Sequence, residues 1–304
     1  MPGVLFRESL RQHIPLIIPG TINAYSAKLA EMAGHKAIYL SGSGVAAASY
    51  GLPDLGFTSM QDVLIDVKRI TSASSLPLLV DIDTGWGDVK EISKTIVEME
   101  KAGCAAVHIE DQIFDKRCGH RPNKKLVSKT KMRARLNAAL DAKKHESFFV
   151  MARTDSIATE GIDSAIDRCR EYIEEGADGI FLEAVTSIDQ YKIFKENFDI
   201  PILANITEFG KTPLFTQDEL QKVGVDMVLY PLTAFRAMSL SAEKIYKSII
   251  KDGTQKPLLD IMQTREELYE VLDYYYFEKQ LDNKMLNNCL LYTSDAADER
   301  SWVV

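Results

Sequence analysis

Short apolar segments recur along the chain, and each is followed by polar or glycine residues and then by a stretch with helical periodicity. We count eight such segments, which cover residues 15–19, 37–40, 77–82, 105–109, 148–152, 179–182, 201–204 and 226–230. Their apolarity is continuous rather than alternating, which is typical of parallel strands buried on both faces. The pattern therefore predicts eight buried parallel strands.

The intervening residues predict amphipathic helices. Residues 91–102 and 218–223 each precede a helix-ending glycine, and one helical face is formed by Ile162, Ile166, Cys169 and Ile173. Because no linker interrupts the repeats, they predict one α/β domain over residues 1–287, a (β/α)8 TIM barrel with a helical extension from about residue 240. An open doubly wound sheet is the alternative, although the first turn, PGTINAYS, lacks its glycine fingerprint.

Composition narrows the function classes. The 304 residues carry a formal charge of -8 and four scattered cysteines without a CxxC pair, which argues against a nucleic-acid partner, a disulfide scaffold and a structural zinc module. No segment approaches the ~20 apolar residues of a membrane span, and the N-terminus does not resemble a signal peptide. We expect a cytoplasmic protein with no membrane partner.

Polar side chains follow nearly every predicted strand. In a barrel, the carboxyl ends of the strands carry the catalytic groups. The residues at this end are Thr21, Asn23, Ser41, Gly42, Ser43, Gly44, Asp81, Asp83, Glu110, Asp111, Arg153, Asp155, Glu183, Asn205, Thr207, Glu208 and Arg236. This concentration favours an enzyme over a purely structural or binding barrel.

A group of carboxylates predicts a metal site. Asp81 and Asp83 lie two residues apart on one strand and so project to the same side, and Glu110 follows the neighbouring strand. Clustered oxygen ligands in an incomplete set suit Mg2+, with Mn2+ as the alternative. Gly85 and Gly87 allow the backbone to approach an ion closely. The competing interpretation is that the two aspartates cap the next helix.

The loop at residues 115–125 contains five Lys or Arg residues around Cys118 and His120. Such a run is commonly a solvated surface, but a thiol flanked by cations is expected to have a lowered pKa and to act as an acid, base or nucleophile. Cys118 and His120 are therefore candidate catalytic residues. Cys104 and Cys169 lie on apolar helical faces and are predicted core residues.

The strand-to-helix turn at Ser41, Gly42, Ser43 and Gly44 offers backbone amides to an anion. Further donors at the same end of the barrel are Arg153, Arg236, Asn205 and Thr207. Together they could bind two or three carboxylates. The predicted substrate is a small polycarboxylate.

Several strings resemble the isocitrate lyase and phosphoenolpyruvate mutase superfamily. KRCGH at 116–120, preceded by HIEDQ at 108–112, is similar to the superfamily signature. The 2-methylisocitrate lyase branch is resembled by YLSGSGVAA (39–47), GLPDLG (51–56), LLVDIDTGWG (78–87), MARTD (151–155), ILANITEFG (202–210), LYPLTAFRAM (229–238) and MQTREELYE (262–270). The likeness extends from about residue 5 to about residue 287.

The resemblance implies cleavage of (2R,3S)-2-methylisocitrate to pyruvate and succinate in propionate breakdown. It implies that Cys118 is the acid/base residue, that Asp81 and Asp83 hold Mg2+, and that Ser41, Gly42 and Ser43 bind the pyruvate-forming end. Arg153 and Glu183, which are further candidate catalytic residues, would contact the substrate or the metal site. Asn205, Thr207 and Arg236 would contact the succinate-forming part. Asp54, Glu110 and Arg265 would belong to the outer part of the site, with Asp54 and Glu110 as the further expected metal residues.

Three alternatives remain at this point. Isocitrate lyase shares the chemistry but is normally longer, and its pocket needs no room for the extra methyl, which Phe181 and Leu229 could line. Phosphoenolpyruvate mutase and oxaloacetate decarboxylase relatives typically lack the cysteine at the position of Cys118. The third alternative is a non-catalytic carboxylate-binding barrel.

The C-terminal part predicts association. Thr264 and Glu267 form a capping box, which predicts a helix with Leu268, Val271, Leu272 and Tyr275 on one face. The aromatic run at 274–277 would expose more apolar area than a lone surface helix should. The resemblance adds exchange of C-terminal helices between neighbours, so we expect a homotetramer. Residues 288–304 do not continue the resemblance, and we expect this atypical tail, either variable or non-native, to lie outside the fold.

Overall fold

The computed structural model describes residues 1–285 and divides the chain into a unit that ends at Ala242 and a second that begins at Glu243. The strands are β1 Leu16–Pro19, β2 Ile38–Leu40, β3 Leu78–Asp81, β4 Ala106–Glu110, β5 Phe149–Thr154, β6 Gly179–Leu182, β7 Ile202–Asn205 and β8 Met227–Tyr230. The helices are α1 Pro2–Gln12, α2 Ala24–Met32, α3 Gly42–Tyr50, α4 Met60–Ala73, α5 Val89–Lys101, α6 Lys129–Ala142, α7 Ile157–Glu160, α8 Ile162–Glu174, α9 Ile188–Asn197, α10 Gln217–Lys222, α11 Thr233–Asp252 and α12 Arg265–Val271. All eight predicted strands are present.

The strands form a parallel barrel. Each strand from β2 to β7 pairs with the next along the chain, and β8 pairs with β1. The remaining seam, between β1 and β2, is closed by a parallel bridge between Gly20 and Tyr39 and by a hydrogen bond from Thr21 N to Tyr39 O of 2.7 Å. The predicted TIM barrel is therefore confirmed, and the open doubly wound sheet is wrong.

Both faces of the strands are buried, as their continuous apolarity predicts. In β5, Phe149 and Met151 belong to a cluster inside the barrel, whereas Val150 and Ala152 pack in the layer beneath the helices. Alternation along a strand sends successive side chains to opposite faces. A barrel wrapped in helices must therefore be apolar on both.

The apolar face predicted for residues 162–173 is the buried side of α8. In α8, Cys169 is fully buried and Ile162, Ile166 and Ile173 are partly buried against the core. Asp88 caps α5 by accepting hydrogen bonds from Lys90 N and Glu91 N. The interpretation of Asp81 and Asp83 as a cap pair for this helix is therefore wrong.

The second unit contains the end of α11, a 3-10 helix at Lys256–Ile261 and α12. The predicted capping box is confirmed, because Glu267 N donates to Thr264 Oγ1 and Thr264 N to Glu267 Oε2. The helix is shorter than predicted: it ends at Val271, and Asp273 has a φ of 52° before residues 274–285 become helical again. The predicted face that joins Leu268 to Tyr275 is thus divided by a break.

The aromatic run of the second unit is exposed within a single chain, since Tyr276 and Phe277 keep 61% and 58% of their surface. Residues 288–304 and Cys289 lie outside the described residues. Among residues 1–285, no helix has the length and apolarity that crossing a membrane requires.

Candidate active site

A cavity of about 290 Å³ opens at the carboxyl ends of the strands. The predicted site residues that line it are Ser41, Ser43, Asp54, Asp81, Cys118, His120, Arg153, Glu183, Asn205, Thr207 and Arg236. Three others, Gly42, Asp83 and Glu110, contact these lining residues from behind. Arg265 belongs to the second unit.

Asp81 and Asp83 come together beneath the start of α3. Gly42 N donates to Asp81 Oδ2 at 3.2 Å, and Asp83 N donates to Asp81 Oδ1 at 3.0 Å. A side chain at Gly42 would place its Cβ 3.2 Å from Asp81 Oδ2 and 3.3 Å from Asp83 Oδ1. Glycine at this position therefore leaves free space in front of two buried carboxylates.

The two other predicted metal ligands are held by cations of the chain. Lys116 Nζ lies 2.6 Å from both Asp54 Oδ1 and Asp83 Oδ1. The register of β4 with β5 places Glu110 opposite Arg153, whose NH1 lies 3.2 Å from Glu110 Oε2. Lys116 therefore links Asp54 to the pair formed by Asp81 and Asp83, and Arg153 holds Glu110.

Burial and charge pull the central pKa values apart. Burial disfavours ionised Asp81, but His108, Lys116 and Arg153 outweigh it and lower its pKa to about 2. Burial raises the pKa of Asp83 to about 6; the neighbouring Asp81 and Asp54 add to the rise and Lys116 opposes it. The pair therefore concentrates negative charge in a buried place, which favours a bound cation.

The residues fit a divalent ion. Glu110 Oε1 is buried and receives no hydrogen bond from the described residues, and Asp83 Oδ1 faces the Lys116 ammonium group. Within residues 1–285, no three acidic, histidine or cysteine side chains form a group that could hold a metal ion by themselves. Mg2+ commonly binds through one or two carboxylates and keeps its other positions for water and substrate oxygens, so an incomplete protein set is consistent with that ion.

Arg153 connects the metal-side carboxylates to the substrate cavity. Its Nε lies 3.0 Å from Asp155 Oδ2, its NH2 lies 3.8 Å from Glu183 Oε1, and its guanidinium lies over the Phe181 ring at 5.2 Å. Although burial opposes the charged form, the surrounding carboxylates raise the pKa of Arg153 well above its usual value. The guanidinium is therefore a permanent positive charge beside the cavity.

His120 and Glu183 are adjacent, as two members of the predicted catalytic set. His120 Nε2 lies 3.2 Å from Glu183 Oε1, and Asn205 Nδ2 donates to Glu183 Oε2 at 3.1 Å. His120 Nδ1 accepts a hydrogen bond from Lys211 N at 3.0 Å, so the proton of a neutral ring lies on Nε2. Burial, with Arg153 and Lys124 nearby, lowers the His120 pKa and favours this neutral form.

The predicted lowering of the Cys118 pKa is wrong. Burial raises the pKa of the thiol, and the carboxylates of Asp54 and Glu183 add to the effect. The lysines of the loop do not offset this rise, because Lys116 pairs with Asp54 and Asp83, while Lys124 pairs with Asp155. The thiol therefore stays protonated near neutral pH, which suits a proton donor better than a nucleophile.

The binding residues predicted at the other side of the cavity are also brought together. Asn205 is the last residue of β7, Thr207 follows shortly after it, and both are buried; Arg236 lies in the first turns of α11. The Arg236 Nε atom lies 3.6 Å from Glu208 Oε2, and its guanidinium lies 5.7 Å from the centre of the Phe209 ring. These amide, hydroxyl and guanidinium groups can bind carboxylates.

Sequence reasoning missed the individual roles of Lys116, Lys124 and Tyr39. It treated both lysines as part of a cationic patch, although their side chains are buried in ion pairs. Tyr39 lies within an apolar run, yet it lines the cavity and its hydroxyl lies 2.9 Å from His108 Nε2. Tyr39 could have been recognised from its position two residues before Ser41, because residues two apart on a strand point to the same side.

The chain is similar to known proteins over most of its length. Residues 6–250 match the phosphoenolpyruvate phosphomutase family model. The chain is 57% identical over 280 residues to a 2-methylisocitrate lyase of Shewanella oneidensis, covering 92% of this chain and 96% of that protein. The 2-methylisocitrate lyase of Escherichia coli is 55% identical over 283 residues, with 93% and 96% covered.

Solved structures are similar as well. A 2,3-dimethylmalate lyase described as a PEP mutase/isocitrate lyase superfamily member has a TM-score of 0.85 at 30% identity, covering 94% of this chain and 95% of that chain. A phosphonopyruvate hydrolase in complex with oxalate and Mg2+ has a TM-score of 0.81 at 27% identity, with 92% and 97% covered. The superfamily is one of divalent-metal-dependent enzymes that act on small substrates. The chain therefore belongs to the phosphoenolpyruvate mutase family, within the superfamily that includes isocitrate lyase.

Proposed function

We propose that the protein is a carbon–carbon lyase that cleaves (2R,3S)-2-methylisocitrate to pyruvate and succinate, the reaction of the methylcitrate cycle in propionate breakdown. The relatives that are 55–57% identical over most of the chain carry the name of this activity. The observation that carries the proposal in the structure is the position of Cys118, whose partly buried thiol lines a cavity together with carboxylate-binding groups.

The chemistry is a retro-aldol-type cleavage. The bond between the hydroxyl-bearing carbon and the neighbouring carboxylate-bearing carbon breaks as the hydroxyl loses its proton. Its electrons form the keto group of pyruvate, and the electrons of the broken bond pass to the succinate-forming carbon. That carbanion is stabilised by its adjacent carboxylate and then takes a proton. The reaction therefore needs a base that accepts the hydroxyl proton, charge stabilisation at both fragments, and an acid that protonates the succinate-forming carbon.

We assign the metal site to Asp81 and Asp83, with Glu110 and Asp54 as neighbouring carboxylates that would support it, and propose Mg2+ rather than Mn2+. When bound, a divalent cation supplies Lewis acidity that lowers the pKa of the substrate hydroxyl and neutralises its carboxylate. Support comes from the unpartnered buried Oε1 of Glu110 and from the space that Gly42 leaves in front of Asp81 and Asp83.

The residues of the chain divide the substrate between them. Ser41, Gly42 and Ser43, at the start of α3, bind the pyruvate-forming carboxylate, and Arg153 adds a fixed positive charge to that side. On the succinate-forming side, carboxylates are received by Asn205, Thr207 and Arg236. Cys118 delivers the proton to the succinate-forming carbon, and His120 with Glu183 orients the loop and the substrate next to it.

Phe181 and Leu229 are proposed to contact the substrate methyl. Both are buried and both line the cavity. The deciding assay compares pyruvate release from 2-methylisocitrate with glyoxylate release from isocitrate, each with and without Mg2+. We expect metal-dependent pyruvate release to dominate. Faster glyoxylate release would favour an isocitrate lyase, and ligand binding without turnover of either substrate would favour a non-catalytic barrel.

The role of Cys118 has its own test. Cys118→Ser is expected to keep the fold and Mg2+ binding while kcat falls by about 10²-fold or more, since a serine hydroxyl is a far weaker acid. Cys169→Ala, on the buried face of α8, serves as the control and is expected to keep kcat. Near-normal turnover of Cys118→Ser would remove the thiol from the mechanism.

We further propose a homotetramer in which C-terminal helices are exchanged, and a cytoplasmic location. The second unit exposes apolar side chains that include Ile250 at 88% and Tyr246 at 68%. Exposed apolar area of this kind is typical of a protein–protein contact. Light scattering coupled to gel filtration should give four times the chain mass, and a monomer mass would contradict the assembly without affecting the proposed reaction.

A further inference from the structure

Lys124 is a buried lysine that the proposed reaction does not use. Its side chain is 1% exposed. Nζ donates to Gly119 O at 2.5 Å and to Asp155 Oδ1 at 2.7 Å. Burying an ammonium group is costly unless acceptors replace its water. The Lys124 ammonium group therefore links two acceptors, one on the Cys118 loop and one at the end of β5.

The anchor end of this connection is rigid. Asp155 accepts hydrogen bonds from Arg153 Nε at 3.0 Å and Arg153 NH2 at 3.2 Å, and its own N–H donates to Asp111 Oδ1 at 2.9 Å. Asp111 in turn accepts from Thr154 Oγ1 at 2.7 Å. All of these groups are buried at the ends of β4 and β5. Lys124 thus joins a loop to the barrel itself.

The loop end of the connection flanks the reactive thiol. On one side of Cys118, Gln112 holds the backbone of Arg117, with Nε2 donating to Arg117 O at 2.9 Å and Oε1 accepting from Arg117 N at 3.1 Å. On the other side, Lys124 holds the carbonyl of Gly119. Cys118 therefore lies between two residues whose backbone groups are held by hydrogen bonds. His120, which follows Gly119, lies beside Glu183.

We propose that Lys124 is a positioning residue that holds the Cys118 loop closed over the cavity, so that the thiol faces the carbon to be protonated. The proposal rests on the proposed function for its kinetic consequence, but the position of the thiol is a property of the folded chain with or without turnover. A reacting group that is displaced by about 1 Å can lose about 10²-fold in rate. Lys124 acts through Cys118 and Gly119 and does not touch the substrate.

The test compares Lys124→Met with Lys125→Met in a background where Cys289 is replaced by serine. Lys125 is the adjacent lysine and its side chain is exposed, so it controls for loss of a loop charge. Two quantities are measured on protein that is folded by circular dichroism. One is kcat and KM for pyruvate release from 2-methylisocitrate, and the other is the rate at which iodoacetamide alkylates Cys118. Cys104 and Cys169 are buried and do not compete.

For Lys124→Met we expect kcat to fall by about tenfold to a hundredfold with KM changed less, and thiol alkylation to speed up by about fivefold or more as the loop opens. Lys125→Met is expected to match the parent in both. If Lys124→Met does not fold, Lys124→Gln carries the test, because its amide can still donate one hydrogen bond; the same effects are expected at smaller size.

The proposal is overturned if a folded Lys124 variant keeps both kcat and the alkylation rate within about twofold of the parent, since a merely structural lysine would lower only thermal stability. If the parent shows no lyase activity, the proposed function fails, and the alkylation comparison alone then decides the role of Lys124. Faster alkylation only in the Lys124 variant supports it, and equal rates refute it.

Discussion

Gly119 lies against the Glu183 carboxylate, and a Gly119→Ala substitution tests whether the closed loop is required. A Cβ at Gly119 would overlap Cγ, Cδ and Oε1 of Glu183. Glu183 cannot withdraw, because Asn205 Nδ2 donates to its Oε2 at 3.1 Å and Arg153 NH2 lies 3.8 Å from its Oε1. Gly119 itself is not among the positive-φ residues, so its backbone admits alanine. The overlap must therefore be relieved by lifting the loop.

The expected size follows from the cost of overpacking. Forcing a methyl group into a filled site costs about 1–3 kcal/mol. If that energy falls on the closed state alone, the closed population drops by about fivefold to about 150-fold. We expect kcat/KM for pyruvate release to fall by the same factor. The melting temperature should change little, because the barrel core does not depend on the loop.

The matched control is Gly34→Ala. Gly34 has a φ of 89° with no atom within 4 Å of an added Cβ, so alanine strains the backbone there without touching the site. This variant should lose thermal stability and keep kcat/KM, the reverse of Gly119→Ala. A Gly119→Ala enzyme with kcat/KM within about twofold of the parent would show that loop closure against Glu183 is not part of the working state.

Three further predictions concern the metal site, the thiol and the core. Gly42→Ala places a methyl 3.2 Å from Asp81 Oδ2 and 3.3 Å from Asp83 Oδ1, so calorimetric titration should show Mg2+ binding weakened by about tenfold, and an unchanged Kd would exclude this site. Because burial raises the pKa of the Cys118 thiol, the folded chain holds less Cys118 thiolate at any given pH than the unfolded chain does. Alkylation of Cys118 at pH 8 should therefore be slower in buffer than in urea. Equal rates would contradict the argument that burial raises this pKa. Phe149→Ala removes a ring that is 1% exposed and lies 5.2 Å from the Phe6 ring, so urea unfolding should show a loss of about 3–5 kcal/mol with kcat/KM retained, and a loss well under 1 kcal/mol would be inconsistent with a filled core.

Much of the site could be predicted because barrel geometry converts sequence position into spatial position. Asp81, Arg153, Glu183 and Asn205 were predicted to converge because each ends a strand, and all four line one cavity. The electrostatic state of the loop could not be predicted in the same way. A pKa depends on burial and on which charges lie nearby in space, and the cations next to Cys118 in sequence are paired elsewhere.

The sequence by itself determined the barrel and showed which end of it carries the polar site residues. Both follow from local properties of the chain, namely the continuously apolar strands and the polar residues that come directly after them. Only the tertiary structure decided which partners those residues take. It placed Lys116 between Asp54 and Asp83, set Arg153 against Glu110 through the register of β4 and β5, and turned Lys124 inward onto Gly119 and Asp155. These pairings join residues that are distant along the chain, and their strength depends on exclusion of water, which no local pattern of residues records.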